Sequence, residues 1–388
     1  MSAPSDAQLG FAEQTALGVP KAPTLFLPLL EPEITDTLDA LESEAVIAGL
    51  DIVGTEQRNG GARTVEVAVG GELYQNSMGL LMRHCLGGYS SSGAGPYTHT
   101  FTPGDIDALP ALCTQLGLPR VAGGGVDPWT AVDCRVTDWE IACSAGEIAT
   151  FGVNMAATCS WLGSRQVTDG ATTSTSTTLT SASAAFAAED VGQLVTGTGI
   201  PTGTTIVSIT SSTSVVLSAA ATATATGVTV RIGLALGTPT YATSASKPFK
   251  FIHASATIDG ADVPFEGITI SGDNALKTDR RPANRGGLAS IAAREGRRAY
   301  TAKISKEYLD PVHWNRVRRG GDFPLVVTLA SGASSVAITG NVRYDAANPK
   351  TDGKSLAEEE IELVFLRSGS TNASAISVAI VDGTTTYA

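Results

Sequence analysis

Apolar and polar residues alternate with a period of two along most of this chain. Thr64–Val69 (TVEVAV) and Tyr97–Thr102 (YTHTFT) each place their larger apolar side chains on one face, the signature of a half-buried strand. Further strands are predicted at 24–30, 33–47, 298–305, 323–329, 335–344, 356–367 and 375–381. A strand pair is predicted over 131–158 with its turn at Gly146, and another over 247–273 with a turn at Asp259-Gly260. One stretch breaks the alternation. Leu73, Ser77, Leu80, Leu81 and His84 recur at helical spacing, with Gly70-Gly71 before them and Gly87-Gly88 after them. A single short amphipathic helix cannot hold itself together in water, so it is expected to cover a sheet. Residues 311–318 read as a second short helix or a turn.

Two stretches depart from compact strand-and-turn chain. Residues 48–62 hold Gly49, Gly54 and Asn59-Gly60-Gly61, an exposed loop joining the 33–47 strand to the 64–69 strand. Loops of that length usually carry a function. From 164 to 237 the sequence is mostly Ser, Thr, Ala, Gly and Val, with few charges. Its β-branched runs at 194–196, 205–209, 214–218 and 227–232 are separated by turns such as Gly199–Gly203, which predicts a small folded β module. The expected organisation is a host domain in two parts, 1–163 and 238–388, the second ending in a C-terminal arm. The module at 164–237 is inserted between them. Its thin core predicts that it is the less stable part.

The 388 residues carry a net charge of -12, which opposes general affinity for DNA or anionic membranes. No apolar run approaches the roughly 18 residues of a membrane span, and the first residues are not patterned as a secretory signal. Five cysteines without a CxxC pair predict reduced, buried thiols in a protein made in a cytosol. His84, His99, His253 and His313 are scattered, and none has a metal-ligand partner at suitable spacing. There is no G-x-S-x-G elbow or P-loop, and Gly123–Gly125 precedes Asp127-Pro128 rather than a helix. Neither catalysis nor a cofactor or metal is expected.

The charge is unevenly placed. Glu31, Glu33, Asp36, Asp39, Glu42 and Glu44 follow one another with no base between them. Lys277, Arg280, Arg281, Arg285, Arg294, Arg297, Arg298, Lys303, Lys306, Arg316, Arg318 and Arg319 concentrate in 277–319. These are either two solvated faces or the two sides of a repeating contact between identical subunits.

In order and spacing these features resemble the major tail tube proteins of long, non-contractile-tailed (siphovirus-type) bacteriophages. The resemblance rests on Leu27-Pro28-Leu29, the acidic Glu42-Ser43-Glu44 region, the long-loop hairpin and the helix ending Leu80–Gly87. It continues through Tyr97–Pro103, Asp133–Trp139 and Gly296–Thr301, and covers most of 20–163 and 245–367. It implies an antiparallel β-sandwich or partial barrel with one flanking helix. Six subunits would close a ring whose hairpins line one continuous β-barrel lumen, and the rings would stack into a tube in the virion tail. The lumen hairpins fall on 33–47 with 63–69 and on 131–143 with 148–158, while loop 48–62 reaches the adjacent ring.

A tube that passes double-stranded DNA should repel phosphate. Lumen candidates are therefore Asp36, Asp39, Glu42, Asp133, Asp138, Glu140 and Glu147, of which strand alternation allows only part to face inward. Subunit and ring contacts are expected from Asp51, Glu56, Arg58, Arg280, Arg281, Arg285, Arg294, Arg297 and Arg298. The implied partners are the chain itself, a tail-tip or baseplate initiator, a tape measure protein and a tail terminator. The inserted module departs from the minimal family pattern; it is expected to decorate the outside, with host surface glycans as a candidate ligand. Two alternatives remain: another virion part (terminator, capsid decoration or fibre segment), and a nucleic-acid-binding module using the 280–319 basic patch.

Overall fold

The computed structural model describes residues 6–387 except 29, 46–51, 53, 76–77, 122, 242–246, 284–286 and 352–355, and the backbone alone at Glu56. Asp51 and Arg285 lie outside the described residues. Eight strands pair antiparallel in the order Glu33–Glu42, Arg58–Glu72, Thr150–Ala157, Val126–Ser144, Gly267–Asp273, Ala299–Glu307, Glu358–Leu366 and Ser334–Lys350. The alternation read in the sequence decides which side is buried. Val65, Val67, Val69, Val153, Met155, Trp139, Ile141, Ile268, Ile304 and Leu363 all enter one apolar core, and the sheet curls around them as a half-barrel. The fold is mainly antiparallel β, as the sequence pattern implies.

Two strands are long enough to serve two layers. Residues 126–134 of Val126–Ser144 pair with Leu112–Pro119, and 129–132 also with Cys159–Leu162, while its second half lies in the half-barrel. Ser334–Lys350 likewise turns from Glu358–Leu366 towards Asp322–Ser331 and Ile376–Asp382. The segment 375–381, which the sequence leaves as a final strand or an arm, is an interior strand, flanked on its far side by Tyr97–Pro103. Gln8–Glu13, within the Pro-punctuated N-terminal stretch, is a strand too. It is buried between Leu25–Leu27 and Leu112–Pro119.

The helix runs Gly79–Leu86 and starts six residues later than its apolar spacing from Leu73 predicts. Gly70 and Gly71 belong to the Arg58–Glu72 strand. Leu73 is buried, yet its N–H donates to Ala149 O at 2.8 Å and its carbonyl accepts from Phe249 N at 2.9 Å. Those bonds hold it extended. The C-terminal end matches the reading, since Gly87 takes φ of 95°. Leu81, Met82, Cys85 and Leu86 pack into the core. A second helix, Val312–Arg319, lies against the Ser334–Lys350 strand, where His313 Nδ1 is 2.9 Å from the Tyr344 hydroxyl.

Residues 165–232 form a separate six-stranded sheet whose outer strands are Val195–Gly197 and Ile206–Ser211. Leu179, Val195, Ile206, Val215, Val230 and Ile232 make its own small core. Arg165 braces it through paired hydrogen bonds to the buried Asp190 carboxylate. A third cluster, Cys113, Val132, Leu194 and Leu234, seats this sheet on the Leu112–Pro119 and Val126–Ser144 strands. Buried Gln115 holds the returning chain, donating to Ala235 O (3.0 Å) and accepting from Gly237 N (2.7 Å).

Candidate functional site

The first four strands of the half-barrel turn a second face away from the core. Cross-strand register places Glu33, Thr35 and Thr37 beside Ala68, Glu66 and Thr64. The same face continues through Gly70 and Glu72, then Thr150, Gly152, Asn154 and Ala156, then Asp138, Glu140 and Ala142. None of these residues is buried. The charged members are Glu33, Glu66, Glu72, Asp138 and Glu140, with no Lys or Arg among them. The rest are small or uncharged, so the surface is smooth as well as acidic. Asp138 is fixed by Asn154 Nδ2 (2.6 Å) and the Thr137 hydroxyl (2.8 Å).

The outward face of the remaining four strands differs. There Lys303 pairs with Glu362 at 3.0 Å and Lys350 with Glu360 at 3.5 Å, so carboxylates and bases offset each other.

Of the seven lumen candidates, Asp138 and Glu140 lie on the acidic face. Asp39 and Glu42 lie farther out, on a hairpin tip whose residues 37–42 and 58–60 are exposed. Glu147 sits in the exposed turn after Ser144, at the end of the sheet. Asp36 points to the other side, where Arg63 Nε binds it at 2.7 Å and the Ser160 hydroxyl at 2.5 Å. Its hydrogen bonds hold the Arg63 guanidinium above its ordinary pKa. Asp133 is buried, because its carboxylate accepts from Gln14 Nε2 (3.2 Å), Gly18 N (2.8 Å) and the Thr158 hydroxyl (2.7 Å). It staples the N-terminal strand and takes no part in any exposed face. Glu33, Glu66 and Glu72 complete the face and were not among the candidates. Glu66 was legible, since it stands between buried Val65 and Val67.

The contact candidates separate in the same way. Arg298 is used internally, donating to Leu86 O (2.9 Å) and Gly104 O (2.6 Å) behind the helix. Arg281 donates to the Thr64 hydroxyl at 2.7 Å. Arg280, Arg294 and Arg297 are exposed, and Arg58 is exposed opposite Glu42 on the hairpin. Glu56 lies in the short 3-10 turn Thr55–Gln57. The rest of the basic stretch is dispersed: Arg316 stacks on Phe323 and Arg318 on Trp314.

A family model described as phage tail tube protein matches residues 4–215 and 190–364. This chain belongs to that family. The tail tube protein is thus a structural component of a phage virion tail. No curated protein matches the chain. Among the described residues of this tail tube protein, no three His, Cys, Asp or Glu side chains are grouped to hold a metal ion. No described helix is long and apolar enough to cross a membrane. All five cysteines are free, and burial pushes the Cys113 and Cys159 thiols up to about 12, which leaves them protonated at neutral pH.

Proposed function

We propose that six copies of this tail tube protein close into a ring, that rings stack into a tube, and that the acidic face lines its bore. The observation that carries this reading is the face on which Glu33, Glu66, Glu72, Asp138 and Glu140 stand among small or uncharged residues, with Arg281 reaching it at the Thr64 hydroxyl. Phosphate binding by a protein draws its strength from Lys and Arg releasing condensed counterions. A bore dominated by carboxylates and small side chains offers DNA few such sites, so the duplex slides through.

Two further features support closure between copies. Among the described residues, Glu33–Glu42 is paired on one side only, and a long unpaired edge invites another chain. Its exposed tip carries Leu38 and Leu41, 63% and 67% accessible, which lose that exposure against a neighbour. The tip and the loop behind it reach the adjacent ring. In this reading the chain is made in the bacterial cytoplasm and joins a tail-tip or baseplate initiator, a tape measure protein and a terminator. The 165–232 sheet decorates the outside, where host surface glycans are the ligands it would meet.

Electron microscopy of the purified, untagged protein tests this. The expected result is hollow stacks of six-membered rings, with Glu66, Asp138 and Glu140 facing the bore in a reconstruction. A bore lined by Lys and Arg, or discrete trimers in place of stacks, overturns it.

A further inference from the structure

Arginines outside any ion pair gather in a groove at one end of the half-barrel, and carboxylates outside any ion pair at a corner of the other, among the described residues. Register fixes which residues share an end. At one end lie Asp273, Ala299 and Leu366, together with the exposed hairpin tip. The connections leaving this end are 274–298 and 367–375. They enclose a groove of about 710 Å³ lined by Arg294, Arg297, Arg298 and Arg367 around buried Tyr300 and Phe365. The acids nearby are engaged: Asp279 and Glu295 pair with Lys277 at 3.7 and 3.0 Å, and Asp273 caps Ala275 N at 2.7 Å. No ion pair among the described residues holds Arg294, Arg297 or Arg367.

At the opposite end lie Ser144, Gly267 and Glu307. The corner there is compact, with Ala145 N donating to Glu266 O at 2.6 Å and Glu266 N to Ser305 O at 2.8 Å. Glu147, Glu266 and Glu307 are exposed on it, and none enters an ion pair among the described residues. The bases at this end are exposed Lys247, Lys250 and Lys350, the last engaged by Glu360, and buried Lys306, engaged by Glu359. The seven-residue Gly267–Asp273 strand separates the two ends by roughly 20 Å, at about 3.3 Å per residue. That is more than two Debye lengths at physiological salt, so groove and corner do not neutralise each other within one copy.

We propose that the arginine groove is a stacking socket, and that its occupant is the Glu147–Glu266–Glu307 corner of a second copy in the next ring. The inference rests on the tail-tube reading and names the contact that sets its polarity. Head-to-tail association of identical copies repeats one heterologous contact, which needs unlike surfaces at the two ends. Arginine suits it, because a planar guanidinium binds a carboxylate through two parallel hydrogen bonds. The groove and the hairpin tip lie at the same end of the half-barrel, so socket and tip engage the next ring from the same end.

A charge swap in the full chain tests the pairing. Arg294→Glu with Arg297→Glu is expected to leave rings but shorten tubes at least tenfold in negative-stain length distributions. Glu147→Arg with Glu266→Arg is expected to do the same. All four substitutions in one chain are expected to restore long tubes. These side chains are exposed, and unchanged melting curves check that each variant folds. Wild-type lengths from either double variant, or no recovery in the quadruple one, overturn the socket. A parent protein that forms no ring or tube overturns the proposed self-assembly into stacked rings instead.

Discussion

The ring of Tyr387 lies against Gly79, the first residue of the Gly79–Leu86 helix, where a Cβ would overlap the ring atoms. The tail that carries Tyr387 is tied down by a buried polar network. Its hydroxyl donates to Asp382 Oδ2 at 2.5 Å, and Asp382 Oδ1 lies 3.3 Å from His99 Nε2. His99 Nδ1 faces the Tyr89 hydroxyl at 3.0 Å, and Arg83 donates to the Tyr387 carbonyl at 3.0 Å. Burial holds the Tyr387 phenol far above its usual pKa, so it stays a donor. The end of the chain thereby clamps the helix that covers the core.

Gly79→Ala separates two opposing effects. Alanine favours a helix over glycine by roughly 1 kcal/mol, whereas forcing a methyl into a filled site costs about 1–3 kcal/mol. In the full chain the substitution is expected to destabilise by about 1–2 kcal/mol in chemical denaturation. In a chain ending at Asp382, where the ring is gone, it is expected to be neutral or stabilising. Equal destabilisation in both backgrounds would mean that Tyr387 is not what Gly79 accommodates.

How much of this was legible depended on whether neighbours in sequence or neighbours in space decided the outcome. Strands such as Thr64–Val69 and the Ala131–Thr158 pair were readable, because alternation is a local signal and burial follows it. Leu73 misled because extended pairing with Ala149 and Phe249 produces the same burial as a helical face. Asp133 looked like any strand carboxylate. Its burial comes from Gln14 and Gly18, more than a hundred residues away, which no local pattern shows. The acidic face was half readable: Asp138, Glu140 and, by the alternation around Val65 and Val67, Glu66 could be read, but Glu33 and Glu72 needed the register that sets them alongside.

Buried His313 sets a pH dependence whose sign is fixed. Burial first, then the charges of Lys306 and Arg316, lower its pKa from 6.5 to about 4. The unfolded chain therefore takes up the proton before the folded one. Stability from this group is complete above about pH 6.5 and is lost as pH falls towards 4, by at most about 3 kcal/mol. Buried His84, also lowered by burial against the opposing pull of Glu13, adds loss in the same direction. Buried Glu359 is raised by burial and works the other way. His313→Asn keeps a polar group near the Tyr344 hydroxyl and removes the titration. Its denaturation free energy is expected to fall less than the parent's between pH 7 and pH 5. Identical slopes would remove His313 from the acid response.

Gln115 governs how firmly the inserted sheet is seated. Gln115→Leu leaves Ala235 O and Gly237 N, both half-buried, without their partner, and each lost hydrogen bond costs about 1 kcal/mol. The loss is expected to fall on the junction and the thin core beyond it. Limited proteolysis should then cut near 235–247 before the host is touched, and the first thermal transition should drop. Cleavage spread evenly over the chain would show that module and host unfold as one unit.

The acidic face makes the last prediction, because the proposed bore requires it to withhold binding. Glu66→Lys with Glu140→Lys turns two outward carboxylates into phosphate ligands without touching the buried side of either strand. In a closed ring each substitution recurs once per copy, so several phosphates can be neutralised together. Log affinity then falls with log salt at a slope of about -0.9 per phosphate. Tubes of the parent are expected to release linear double-stranded DNA. Tubes of the variant are expected to retain it at about 50 mM salt and lose most of it by about 200 mM. Glu189→Lys, exposed on the inserted sheet, changes the charge in the same direction away from the proposed bore. If it retains DNA as strongly as the double variant, net charge explains the effect and the acidic face does not line the bore.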